Sequence, residues 1–131
     1  MSGNWSSKYL GKSYNTLHPC MALVLDVLEN EYGITAPMYD EPLNLQAKRA
    51  LAYQLLTSTC KQVQPDEIRD GDIVLISVCG VPAHVGILLN PKNVVHVPDE
   101  RFGVVVESLD SPFLKNRIVG FYRPVKVQND G

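Results

Sequence analysis

Apolar positions recur at helical spacing in the first half of the chain and at strand spacing in the second. Leu23, Val24, Val27 and Leu28 fall on one face of a helix. Pro19 suits the first turn, where its missing N–H would have no partner anyway, and Gly33 supplies a stop. The pattern predicts a helix from Cys20 to Tyr32. Residues 34–42 are rich in turn formers. A second helix is expected over Leu43 to Cys60, with Leu45, Lys48, Ala52, Leu55 and Leu56 on a partly apolar face, until Gln64-Pro65-Asp66-Glu67 breaks the pattern. Beyond Gly71 the residues become β-branched and the runs short. Strands are predicted at Ile73–Val78, Val85–Leu89, Val94–Val97, Val104–Glu107 and Ile118–Tyr122, with Val81-Pro82 as a turn or edge and Asn90–Asn93 as a turn. Helices followed by consecutive strands predict an α+β fold, with N-terminal helices packed on a central antiparallel sheet of about five strands.

Length and composition narrow the class. At 131 residues the chain is expected to form a single domain, 1–131. Its apolar content of 45% and charged content of 20% are those of an ordinary globular protein. A net charge of −2 gives no basic footprint for nucleic acid. No apolar run is long enough to cross a bilayer, and Met1–Lys8 lacks the apolar core of a signal peptide. Synthesis in the cytoplasm without a signal peptide is therefore expected, with no membrane insertion. Three cysteines without CxxC spacing argue against a disulfide framework, and no HExxH or CxxC pair suggests a metal.

The candidate chemistry centres on Cys20. It stands at the start of the first helix, where open N–H groups and the positive dipole end favour a thiolate. A thiol enzyme needs a base beside the sulfur and a third group orienting the base. The strands on either side of the 90–93 turn carry His84 and His96, and matching parity puts their side chains on one face of a hairpin. The geometry allows a nucleophile, Cys20, facing a base and an orienter, His84 and His96. Cysteine is also among the most buried residue types, so Cys20 alone would read as core. His18, two residues from Cys20, reads as a loop or rim residue, since positions two apart do not face each other. Cys60 and Cys79 read as structural, Asp72 as a turn former, and Glu107 and Asp110 as a solvated rim.

Tyr9-Leu10-Gly11, Cys20 leading an apolar helix, Gly71-Asp72-Ile73-Val74, His84-Val85-Gly86-Ile87 and His96 together resemble the NlpC-type cell-wall cysteine peptidases, over nearly the whole chain. Residues 103–112 and 117–123 resemble the branch found in phage tail modules. The resemblance implies a papain-like NlpC-type fold, a Cys20-His84-His96 triad, no cofactor and no metal. It implies hydrolysis of peptidoglycan stem peptides at D-γ-glutamyl-diaminopimelate type bonds. The implied partners are the stem peptide and other phage tail proteins, and the implied location is a phage or phage-like tail. Tyr9 matches a family tyrosine that lines the cleft and helps hold the oxyanion; its other reading is a packed aromatic. The sequence departs from the family around the nucleophile, where Pro19, Met21 and Ala22 replace an acidic residue before it and Ser or Trp, then Gly, after it. The alternative expectation is a catalytically silent tail-assembly or tail-tip protein retaining the fold.

Overall fold

The computed structural model describes residues 3–99 and 101–125. The ends of the predicted 1–131 domain, 1–2 and 126–131, lie outside the described residues, as does Glu100. Two helices come first: α1 (Pro19–Tyr32) and α2 (Leu45–Thr59). Six strands follow: β1 (Cys60–Val63), β2 (Ile73–Val78), β3 (Val81–Leu89), β4 (Asn93–His96), β5 (Val105–Ser108) and β6 (Ile118–Pro124). Short 3-10 turns occupy Gly3–Lys8 and Pro65–Glu67.

Both helices owe their ends to named residues. Pro19 occupies the first turn of α1, and His18, its N-cap, provides no side-chain cap. At the other end Gly33 takes the left-handed region at φ 69°, and its N–H and that of Ile34 close on Glu29 and Leu28. Asn44 caps α2, its side-chain oxygen accepting from the Ala47 N–H at 2.9 Å.

The strands form one antiparallel sheet in the order β1-β6-β2-β3-β4-β5. The expected five strands are six. Cys60, read as the end of the second helix, starts β1, an edge strand paired only with β6. Only Val63 of its four residues is buried, so it carries no periodic signal. Val81-Pro82 belongs to β3. The β2–β3 turn is Cys79-Gly80, with φ of 50° and 77°, the positive pair that a two-residue hairpin turn requires.

Alternation along the strands divides the core. Ile73, Leu75, Val85, Ile87 and Val95 pack with Leu23, Val24, Val27 and Leu28 of α1 and Ala52, Leu55 and Leu56 of α2. Val74, Ile76, Leu88 and Val94 join Val63, Leu114 and Phe121 in a second cluster. Asp72, 1% exposed, ties the start of β2 to β6 through both oxygens, which accept from the Arg123 guanidinium at 3.0 Å each. Among the described residues no helix is long and apolar enough to cross a membrane.

Candidate active site

His84 and His96 meet as the hairpin predicts. The Nε2 of His84 lies 2.9 Å from the Nδ1 of His96, the rings edge-on at 71°. By strand alternation the pair shares a side of the hairpin with Gly86 and Val94. Gly86 makes room for it. A Cβ there would stand 2.6 Å from Val94 Cγ1 and 3.1 Å from His96 Cβ. Burial pulls the pKa of His84 down to about 3, with His96 and Lys48 adding to the effect. His96 is fully buried and also lowered by burial, against the pull of Glu107.

Glu107 corrects the sequence reading. Its carboxylate does not stand on a solvated rim; its Oε1 lies 2.9 Å from His96 Nε2, and its Oε2 accepts from the Ser111 hydroxyl at 2.7 Å. The β4–β5 register explains this. Glu107 opposes Val94, two residues from His96, and so shares the face of the imidazoles. Pairing of β5 with β4 was the signal that would have found it. Asp110 is exposed, as expected.

Cys20 comes up against β3 at Val85, whose N–H acts on its sulfur. The β3–β4 pairing covers Ile87 to Leu89, so the His84 end of β3 runs on beyond it. There Cys20 and His84 line one pocket of about 390 Å³, walled by α1, α2, the end of β2 and residues 97–99. Most of the wall is apolar, with Leu25, Leu45, Leu51, Leu55 and Val97 prominent. Lys48 is its cation and has no carboxylate partner among the described residues. Asp99, also in the wall, is engaged by Arg101. Burial pushes the Cys20 thiol up; the N–H of Val85, the Lys48 ammonium and the N–H groups of Met21 and Cys20 lean the other way. The last two are donors that Pro19 and the uncapped His18 leave open. Burial thus favours the neutral form of both the Cys20 thiol and the His84 imidazole. Among the described residues the Cys20 sulfur has no hydrogen bond to an imidazole. Such contacts are often loose in unliganded thiol enzymes and tighten on binding.

Tyr9 stands apart, which corrects the expectation that it lines the cleft. Its ring is 2% exposed and packs 6.0 Å from Trp5, and its hydroxyl donates to Glu31 at 2.8 Å. Burial, with Glu31 adding to it, pushes this phenol up to about 12. The packed-aromatic reading is the one that matches. His18 lines the pocket as a rim residue, and its Nε2 lies 2.6 Å from the Glu41 carbonyl oxygen. All three cysteines are free. Cys60 lies against the Thr59 hydroxyl at 3.4 Å, and Cys79 is exposed in its turn.

The family model of the NlpC/P60 family matches residues 8–123. The chain belongs to the NlpC/P60 family. A solved structure of a protein "similar to lipoprotein, NLP/P60 family" from Staphylococcus aureus has the same fold, with 19% identity and a TM-score of 0.62. The match covers 94% of this chain and 40% of that one, so the chain spans well under half of that protein's length. No curated protein matches. NlpC/P60 proteins are cysteine peptidases acting on peptidoglycan peptides.

Proposed function

We propose that this NlpC/P60 domain is a cysteine endopeptidase of peptidoglycan stem peptides, with Cys20 as nucleophile, His84 as general base and His96 as orienter. The observation that carries the reading is the shared pocket: Cys20 and His84 line it together, and His84 is tied to His96 at 2.9 Å. His84 takes the thiol proton as the sulfur attacks the amide carbonyl. The open N–H groups of Cys20 and Met21 receive the oxyanion. His84 then protonates the leaving amine and activates water against the thioester. The D-γ-glutamyl-diaminopimelate type bond is the one the family resemblance favours. Placement in a phage or phage-like tail rests on the resemblance of residues 103–112 and 117–123 alone.

Digestion of purified muropeptides by the wild type and by Cys20→Ala tests this. Cleavage by the wild type and none by Cys20→Ala is expected. Equal cleavage would remove Cys20 from the mechanism, and cleavage by neither would leave the silent tail protein as the better account. A second reading follows from the pocket wall. Stem peptides are polar, whereas the wall beside Cys20 is mostly apolar. The same thiol chemistry on an apolar acyl amide would use that wall. Faster turnover of N-acyl amides than of muropeptides would decide for it.

A further inference from the structure

We propose that Glu107, held by Ser111, is a positioning residue that sets the proton order of the two imidazoles and so leaves the Nδ1 of His84 bare. Four contacts carry the argument. His96 Nε2 lies 2.9 Å from Glu107 Oε1, and His84 Nε2 lies 2.9 Å from His96 Nδ1. The Ser111 hydroxyl donates to Glu107 Oε2 at 2.7 Å, and its oxygen accepts from the Leu114 N–H at 3.2 Å.

A carboxylate only accepts hydrogen bonds, so the proton between Glu107 and His96 sits on Nε2 of His96. A neutral imidazole carries one N–H, so the Nδ1 of His96 is then an acceptor. The 2.9 Å contact to His84 is filled by the Nε2–H of His84. That leaves the lone pair of His84 at Nδ1, the ring nitrogen that His96 does not occupy. This is the form a general base must have: one nitrogen free to accept the thiol proton, the other anchored.

Without the carboxylate the order can reverse. His96 would carry its hydrogen on Nδ1 and donate to Nε2 of His84. His84 would then hold its hydrogen on Nδ1 and could not accept one there. Glu107 therefore acts on the reacting atoms through His96, two hydrogen bonds from the nitrogen it controls. Ser111 fixes the carboxylate from the β5–β6 turn, and Leu114, fully buried in the second cluster, fixes that turn. The inference uses the His84-as-base reading for its consequence, but its structural content stands without turnover.

The test is 15N NMR of the imidazoles at neutral pH, read through couplings from the ring carbon-bound hydrogens. The wild type should show protonated Nε2 and bare Nδ1 on both histidines. Glu107→Leu should show His84 wholly or partly with hydrogen on Nδ1, and Glu107→Gln, whose amide oxygen still accepts, should keep the wild-type form. In an active enzyme Glu107→Leu should lower kcat about 10- to 100-fold with KM little changed, the range seen for carboxylates that orient metal-bound imidazoles. Hydrogen on Nδ1 of His84 in the wild type would overturn the proposal, as would an unchanged tautomer in Glu107→Leu. If Glu107→Leu does not fold, the wild-type spectrum still decides. A bare Nδ1 in a chain that cleaves nothing would sink the catalytic reading and leave the proton order standing.

Discussion

The chemistry of Cys20 is decided by two opposed local effects. A helix start with open N–H groups favours the thiolate, while burial disfavours it and wins in the resting protein. Slow alkylation of the free protein therefore does not separate an enzyme from a silent fold; turnover does. Lys48 is the adjustable part of this balance, since it favours the thiolate from α2. Removing the charge in Lys48→Met should slow alkylation of Cys20 by iodoacetamide at pH 8 by about two- to tenfold, and an unchanged rate would remove Lys48 from the site's electrostatics. The histidines give a pH signature of definite sign. His84 falls from an ordinary 6.5 to about 3 in the fold, so between those values the unfolded chain binds a proton that the folded chain refuses. Stability is full above about pH 6.5 and drops as pH falls toward 3. By pH 5 the loss from His84 is on the order of 1–2 kcal/mol. Urea midpoints measured from pH 7.5 to 5 should fall, and His84→Asn should flatten the curve. A flat wild-type curve would mean that His84 is not held neutral by its surroundings.

At the scale of elements, β3 and β4 carry the site because Gly86 lets them close. An added Cβ would meet the methyl of Val94, which is fully buried and β-branched and has little freedom to turn away. Gly86→Ala should cost about 1–3 kcal/mol in urea unfolding and displace His96. A variant as stable as the wild type would show that the strands have slack. The cap on α2 is a separate matter: Asn44→Ala should cost about 1 kcal/mol and leave the site alone, since Asn44 is exposed and lies outside the pocket wall. Elements with a repeated inward face were legible in the sequence. Helix α1 was found to within one residue because four buried positions recur on one face. Strand β1 was not, because a four-residue edge strand with one buried side chain has no period to read. The same logic divides the site. The proposed nucleophile, base and orienter, Cys20, His84 and His96, stand out by motif and parity. Glu107 was hidden, because a carboxylate in a half-exposed strand looks like solvent-facing alternation until β5 is known to pair with β4. Lys48 falls on the helix face that the period marks, but no local pattern encodes that this face meets the end of β3.

One ion pair far along the sequence from Cys20 adds to the pairing of β2 with β6. Strand β6 lies between β1 and β2, and Arg123 near its end reaches Asp72 at the mouth of β2 with two hydrogen bonds and the Glu67 carbonyl oxygen with a third, at 2.8 Å. The Asp72 side chain is 2% exposed and that of Arg123 19%. The cost of losing the pair therefore falls on the carboxylate, which would be left buried with only the Arg69 N–H, among the described residues, to satisfy it at 2.8 Å. Arg123→Met should destabilise the domain by about 3 kcal/mol, while Asp72→Asn, which keeps an accepting oxygen without the buried charge, should cost less. Because β2 borders β3, and β3 carries His84, the damage could spread to chemistry. Yet the pocket wall contains neither partner of the pair. The expected outcome is a lower melting temperature with kcat per folded molecule unchanged at 25 °C. A fall in kcat at full folding would show instead that the closure of the sheet by β6 sets the geometry of the histidine row.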